Sequence, residues 1–264
     1  MKFREIFRFE FVYQARRVRT WLYFAVLFAV AYLLMRTAGA GDGVVNSPYS
    51  IAQGTVLTGV LWILMAPAVA GSAAARDAQT RMHPLIYTAH ISKADYLGGR
   101  FLAAFVLNAL ILLAVPLGML AALLFPGVDP EVVGSFRPAV YLSSYGLLAL
   151  PTAFTFTAVQ FSLAALKRRP IVSYLGSVLL FVTASSAGLA TNVLHMPSLG
   201  KLLDPTCRIN VLVLMADALT PLEKNTVLIG LERSILANRL LWIGVALAIL
   251  AFTHVRFRLG HRGA

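Results

Sequence analysis

The side chains able to do chemistry are few and widely spaced. His83 and His90 stand seven residues apart, as do His254 and His261, which puts each pair on one helical face. A zinc site needs three or four ligands, and no third stands near either pair. Cys207 is the single cysteine, which excludes an internal disulfide and a cysteine-based metal site. The chain carries no G-x-x-x-x-G-K-[ST], H-E-x-x-H or G-x-S-x-G, so it lacks the usual devices for splitting ATP, for zinc peptidase chemistry and for serine hydrolysis. An intramembrane enzyme would need a catalytic constellation that these spacings do not assemble. Inside the apolar runs the notable polar side chains are Asn108 and Gln160, joined by Thr152, Thr155, Thr157, Ser185, Ser186 and Asn192. Asn108, Gln160 and Asn192 are candidates for a substrate path across a membrane. The competing role for such neutral groups is hydrogen bonding between helices. No carboxylate lies among them, which argues against a proton-coupled carrier.

The richest polar chemistry is gathered in one stretch, residues 76–100, RDAQTRMHPLIYTAHISKADYLGGR, between two strongly apolar runs. Pro84 pushes His83 out of helical geometry and suits a first helical residue, which predicts two short helices meeting at an elbow. Ser92, with Asp95 three residues on, has capping-box spacing and starts the second. Such a segment suits a docking surface; the alternative is a plain solvated connector.

The surrounding elements are set by composition. With 59% hydrophobic and 13% charged residues in 264, the chain has too little polar surface for a water-soluble domain. It reads as an all-α integral membrane protein, a single transmembrane domain over 1–264. Apolar runs at 20–35, 56–75, 101–125, 139–166, 171–194 and 240–255 predict six spans. The run at 20–35 is taken as a mature span rather than a leader, because the preceding segment is long for one and Arg36 sits where cleavage prefers neutral residues. Pro67, Pro116 and Pro151 fall within spans, where neighbours must satisfy the freed carbonyls. Residues 1–19 interleave basic residues with Phe3, Ile6, Phe7, Phe11 and Tyr13 on one arc, which predicts an interfacial helix. Glu10, Gln14 and Arg17 interrupt that arc and either meet protein or snorkel to water.

The net charge of +12 has a topological origin, and no basic cluster on a soluble fold points to nucleic acid. Segments 1–19, 76–100, 167–170 and 256–264 hold sixteen Lys and Arg against four acids, while the other side holds seven of each. The positive-inside rule then puts both termini and residues 76–100 in the cytoplasm. Residues 195–239 form the last outer segment, in which Asp204-Pro205 and Thr220-Pro221 each read as an N-cap followed by a first-turn proline. The first short helix is expected to run through Val211 to Leu219 and the second to follow Pro221, both dipping into the outer leaflet.

RFEFVYQARRVRTWLYFAVLF at 8–28, ARDAQTRMHPLIYTAHISKADYLGGRFLAAF at 75–105, and LTPLEKNT followed by NRLLW at 219–242 resemble permease subunits of bacterial ABC exporters. More narrowly, they resemble the permease often fused to a zinc aminopeptidase. The resemblance runs the length of the chain and implies a bacterial inner-membrane permease with an N-terminal interfacial helix, six spans, a coupling helix and an outer re-entrant hairpin. It implies a separate ATPase, which holds the ATP and Mg while this chain holds no cofactor, and a second copy or related permease. Carried residue by residue, it places ATPase coupling at Arg76, Asp77, Thr80, Pro84, Ser92 and Lys93. No peptidase signature follows the last span, which fits either a stand-alone permease or a piece of a longer permease-peptidase protein. The rival functions are a non-transporting scaffold or mechanotransmission subunit and, less favoured, an intramembrane enzyme.

Overall fold

The computed structural model describes residues 2–37, 44–80, 91–124, 130–214, 218–230 and 232–258. Among them every regular element is helical. In chain order the main helices are α1 (Lys2–Ala15), α2 (Val18–Thr37), α3 (Pro48–Gln79), α4 (Lys93–Leu124), α5 (Pro138–Lys167), α6 (Pro170–Asn192), α7 (Pro197–Leu203), α8 (Pro221–Thr226) and α9 (Arg233–Arg256), with a 3-10 turn at Pro130–Val132 and a π-turn at Asn210–Leu214 besides. Six of them, α2 to α6 and α9, are long and apolar enough to cross a bilayer. The described residues are thus all-helical, with the six long apolar helices that a membrane protein needs.

The helices begin where local chemistry lets them. Ser47 caps α3, its Oγ accepting from the Ser50 amide at 3.1 Å with Pro48 as first residue, so this helix starts well before the apolar run at 56–75. Ser92 caps α4 in the same way, accepting from the Asp95 amide at 3.0 Å while its hydroxyl donates to the Asp95 carboxylate. α9 likewise starts ahead of its apolar run at 240–255, because Asn238 and Arg239 are buried against protein. The three span prolines are met differently. Pro67 lies within continuous α3, α4 loosens at Leu113 just before Pro116, and α5 widens into a π-turn over Tyr145–Ala149 just before Pro151.

α3 and α5 form the centre. α3 packs on α2, α4, α5 and α6, and α5 packs on α4, α6 and α9. The α3 to α6 crossing is close: a Cβ at Gly71 would collide with the Ser173 hydroxyl and the Pro170 carbonyl. α2 lies along the second half of α4, where Gly118 meets the Phe28 carbonyl. Pro67 removes the amide that Ile63 O would otherwise receive, and that carbonyl accepts instead from Ser177 Oγ at 2.7 Å and Gln160 Nε2 at 3.4 Å.

The ends of the bundle are tied separately. At one end Lys93 Nζ donates to Val255 O at 3.1 Å, Arg168 donates to Arg258 O at 2.9 Å, and the Tyr96 and Phe257 rings stack. At the other, Val44 N donates to Asn225 Oδ1 at 2.9 Å and Arg137 to Thr226 O at 3.1 Å. These contacts follow the alternation of an antiparallel bundle.

The segment 195–230 departs from the sequence reading in two places: α7 (Pro197–Leu203) is a helix that the spacing does not predict, and the helix expected to open at Pro205 does not start there. Asp204 does cap, but Pro205 is not a first helical residue. Pro205 and Thr206 form a turn, Asp204 accepts from the Thr206 amide at 2.9 Å and the Ile209 amide at 2.8 Å, and helical geometry resumes at Arg208. Thr220-Pro221 opens α8 as expected, with a complete capping box to Glu223.

Candidate functional site

The charges of α1, α3 and α4 converge at one end of the bundle. α1 packs along the start of α4, and two of the three polar residues that interrupt the apolar arc are buried there: Glu10 and Gln14 are each 1% exposed, while Arg17 is half-buried. Arg76 Nη2 lies 2.8 Å from Glu10 Oε2, and Arg76 Nη1 donates to Glu10 Oε1 at 3.2 Å. Gln14 Nε2 donates to Glu10 Oε1 at 2.9 Å and to Val69 O at 3.3 Å. On the other side Arg100 pairs with Asp77 and donates to Ala73 O at 2.9 Å, and Tyr96 Oη donates to Asp77 Oδ2 at 3.1 Å. Arg100 also stands 3.9 Å from Glu10, which closes a two-plus-two cluster of formal charge zero.

Rings sheathe the cations. The Arg76 guanidinium lies 4.1 Å from the Tyr13 ring centre and 5.3 Å from that of Phe9, and Arg100 lies 4.8 Å from that of Tyr96. Burial dominates at Glu10 and raises its carboxyl above the ordinary range, against the pull of Arg100 and Arg76 and the Gln14 hydrogen bond. A cavity of about 370 Å³ opens beside the cluster, with Glu10, Arg76, Asp77 and Arg100 on its wall and Thr80 and Ile91, the two flanks of residues 81–90, at its rim.

The sequence-derived residues fall into two groups. Arg76 and Asp77 are buried in the last turn of α3, facing α1 and α4. Thr80 and Ser92 are exposed, Thr80 ending α3 with its Oγ donating to Arg76 O at 3.1 Å, and Lys93 is half-buried against Val255. Pro84, with the elbow expected there and with His83 and His90, lies outside the described residues. Arg76 and Asp77 therefore read as anchors and Thr80, Ser92 and Lys93 as surface. Sequence reading missed Glu10 and Arg100 as members of the cluster. The signal was present in the interruption of an apolar arc by an acid.

The proposed path residues do not converge. Asn108 Nδ2 donates to Thr157 Oγ1 at 2.9 Å between α4 and α5, and Gln160 Nε2 donates to Ser177 Oγ at 3.1 Å between α5 and α6. Asn192 is exposed at the end of α6. At the opposite end of the bundle Asn238 Nδ2 donates to Lys201 O at 2.7 Å and to Asp204 O at 2.9 Å, and Arg239 donates to Thr152 Oγ1 at 3.2 Å and Thr206 O at 3.1 Å. These bonds fasten residues 201–206 to α9 and α5. Among the described residues no group of three or more His, Cys, Asp or Glu could hold a metal ion.

Fold and cluster together give, among the described residues, a helical protein with six helices long and apolar enough to cross a membrane, whose first helix is clamped by buried charge to the ends of two of them. No protein-family model and no curated protein matches the chain.

Proposed function

We propose that the chain is the membrane-embedded permease of a bacterial ABC-type exporter, working as a homodimer or with a related permease and driven by a separate ATPase. The observation that carries it is the buried Glu10, Arg76, Asp77, Arg100 cluster, which sits where the polar stretch 76–100 enters and leaves the bundle. A push on that stretch reaches α1, α3 and α4 together, as coupling of ATPase closure to a helix bundle requires. In this reading α1 lies on the inner face of the bacterial cytoplasmic membrane, both termini are cytoplasmic, Thr80, Ser92 and Lys93 meet the ATPase, and the helical turns from Arg208 together with α8 dip into the outer leaflet. The Asp204, Asn238 and Arg239 bonds give such a re-entrant segment the protein cover it needs.

A second reading, a mechanotransmission subunit that moves no substrate, is favoured by the engagement of Asn108 and Gln160 between helices. Co-expression with the nearest encoded ATP-binding cassette ATPase tests both. A stable complex whose ATP hydrolysis responds to Lys93→Glu is expected. An ATPase that neither co-purifies nor changes its rate overturns both readings, and hydrolysis indifferent to every transported compound selects the second.

A further inference from the structure

We infer that the elbow between α1 and α2 binds the phosphate of an anionic phospholipid, held by Arg8, Arg16 and Arg17 and favoured by the charge of Arg19 close behind them. A surface groove of about 730 Å³ runs along α1, with Arg8, Arg16 and Arg17 on its wall beside the apolar Phe9 and Val12. Its acid, Glu5, leaves the wall with an excess of positive charge. Among the described residues none of the four arginines has a carboxylate partner within ion-pair distance, whereas Arg76 and Arg100 of the neighbouring cluster are both paired.

One of the four is fixed in place and one is charged but unpartnered. Arg17 donates to the Tyr13 hydroxyl and lies 4.4 Å from the centre of that ring, which fixes its guanidinium and leaves further donors. Arg19 does not line the groove and buries Nε and Nη2 with no hydrogen-bond partner among the described residues, so it adds its charge from behind the groove wall rather than a donor on it. Burial, and then repulsion from Arg19 and Arg76, lowers Arg17 from the ordinary arginine value. A negative ligand relieves that repulsion.

Position commits the ligand to a lipid rather than a free phosphate. α2 is a span, and its first residues are exposed and apolar: Val18 at 84%, Trp21 at 61% and Leu22 at 58%. Phe9, exposed at 63%, extends the same surface along α1. The arginines thus sit at the water boundary of the hydrocarbon, where acyl chains meet Val18, Leu22 and Phe9 while the headgroup meets the guanidinium groups. The inference rests on the six spans and is independent of the transporter reading.

The test is a titration of the detergent-purified protein with dihexanoyl phosphatidylglycerol, dihexanoyl phosphatidylcholine or inorganic phosphate, with bound ligand counted by native mass spectrometry. Phosphatidylglycerol should bind well ahead of phosphatidylcholine, and millimolar inorganic phosphate should compete poorly. At about fivefold per basic residue, the Arg16→Gln, Arg19→Gln pair should weaken phosphatidylglycerol about 25-fold. The charge-matched pair Arg256→Gln, Arg258→Gln, both exposed at the end of α9, should leave it unchanged. Equal loss in both pairs means a diffuse charge effect and overturns the site. Free phosphate that matches the lipid overturns the lipid assignment. Should the elbow variant fail to fold, a photoreactive phosphatidylglycerol on the unaltered protein decides: crosslinks within residues 8–22 support the site, and crosslinks elsewhere overturn it.

Discussion

Ile63 O illustrates how one residue's chemistry obliges another. Pro67 orphans that carbonyl in the middle of the bundle, and Ser177 Oγ from α6 meets it at 2.7 Å. Ser177→Ala should cost about 1 kcal/mol, within the range for polar contacts between membrane helices, with Gln160 as a weaker substitute donor. In a Pro67→Ala background the helix supplies its own amide, so the same substitution should cost almost nothing. Equal losses in both backgrounds, measured by unfolding in mixed detergent, would show that Ser177 acts by packing alone. The charge cluster obeys a harsher rule. Arg100→Ala strands Asp77 in a buried site, and breaking such a pair typically costs about 3 to 5 kcal/mol. Glu10→Gln removes a carboxylate whose burial already opposes its charge, so it should cost clearly less. The comparison needs only two thermal unfolding curves. A larger loss for Glu10→Gln would mean that the ion pair with Arg76 outweighs the burial of both partners.

At the scale of elements, the spans were legible because their period and length are dictated by hydrocarbon thickness, and all six expected runs lie largely within the observed helices. Starts were legible only where the cap is local. Ser92 and Thr220 cap as their spacing says, whereas α9 begins early because Asn238 and Arg239 find partners in residues 201–206, a tertiary fact invisible to apolar counting. Pro205 failed as a helix start for a local reason: Asp204 caps across its own turn to Ile209 rather than into the next residues. The candidate site was half legible. The polar stretch announced Arg76 and Asp77, but their partners Glu10 and Arg100 stand on other helices.

α8 offers a measurable consequence of its cap. Glu223 accepts from the Thr220 amide at 2.8 Å and the Thr220 hydroxyl at 2.7 Å, and these bonds lower its carboxyl below the ordinary value. A depressed acid contributes its stabilisation above the ordinary glutamate range, near pH 4.3, and loses it as pH falls through its own lower value. The Thr220 amide resonance should therefore titrate with a midpoint below that of a free glutamate, and Glu223→Gln should abolish the titration. A midpoint at or above the free value would mean that the box does not form.

For the whole molecule, the ends are distinguished by charge and by fastening. One end carries α1, the paired cluster and the arginine elbow, and the other carries α7, α8 and the neutral bonds of Asn225 and Asn238. The topology places Ser92 at the first end and Ser198 at the second, since α4, α5 and α6 lie between them, and both residues are exposed. The native Cys207 is fully buried, and burial raises its thiol above the ordinary value, so it should stay silent to a thiolate-directed reagent. Single cysteines at Ser92 and Ser198 can thus be probed in intact cells with a membrane-impermeant maleimide. With the basic end held inside, Ser198→Cys should label at once and Ser92→Cys only after the membrane is opened. The reverse pattern would put the charge cluster on the outer face, where no cytoplasmic ATPase could reach the segment 76–100, and the proposed coupling would fall with the orientation.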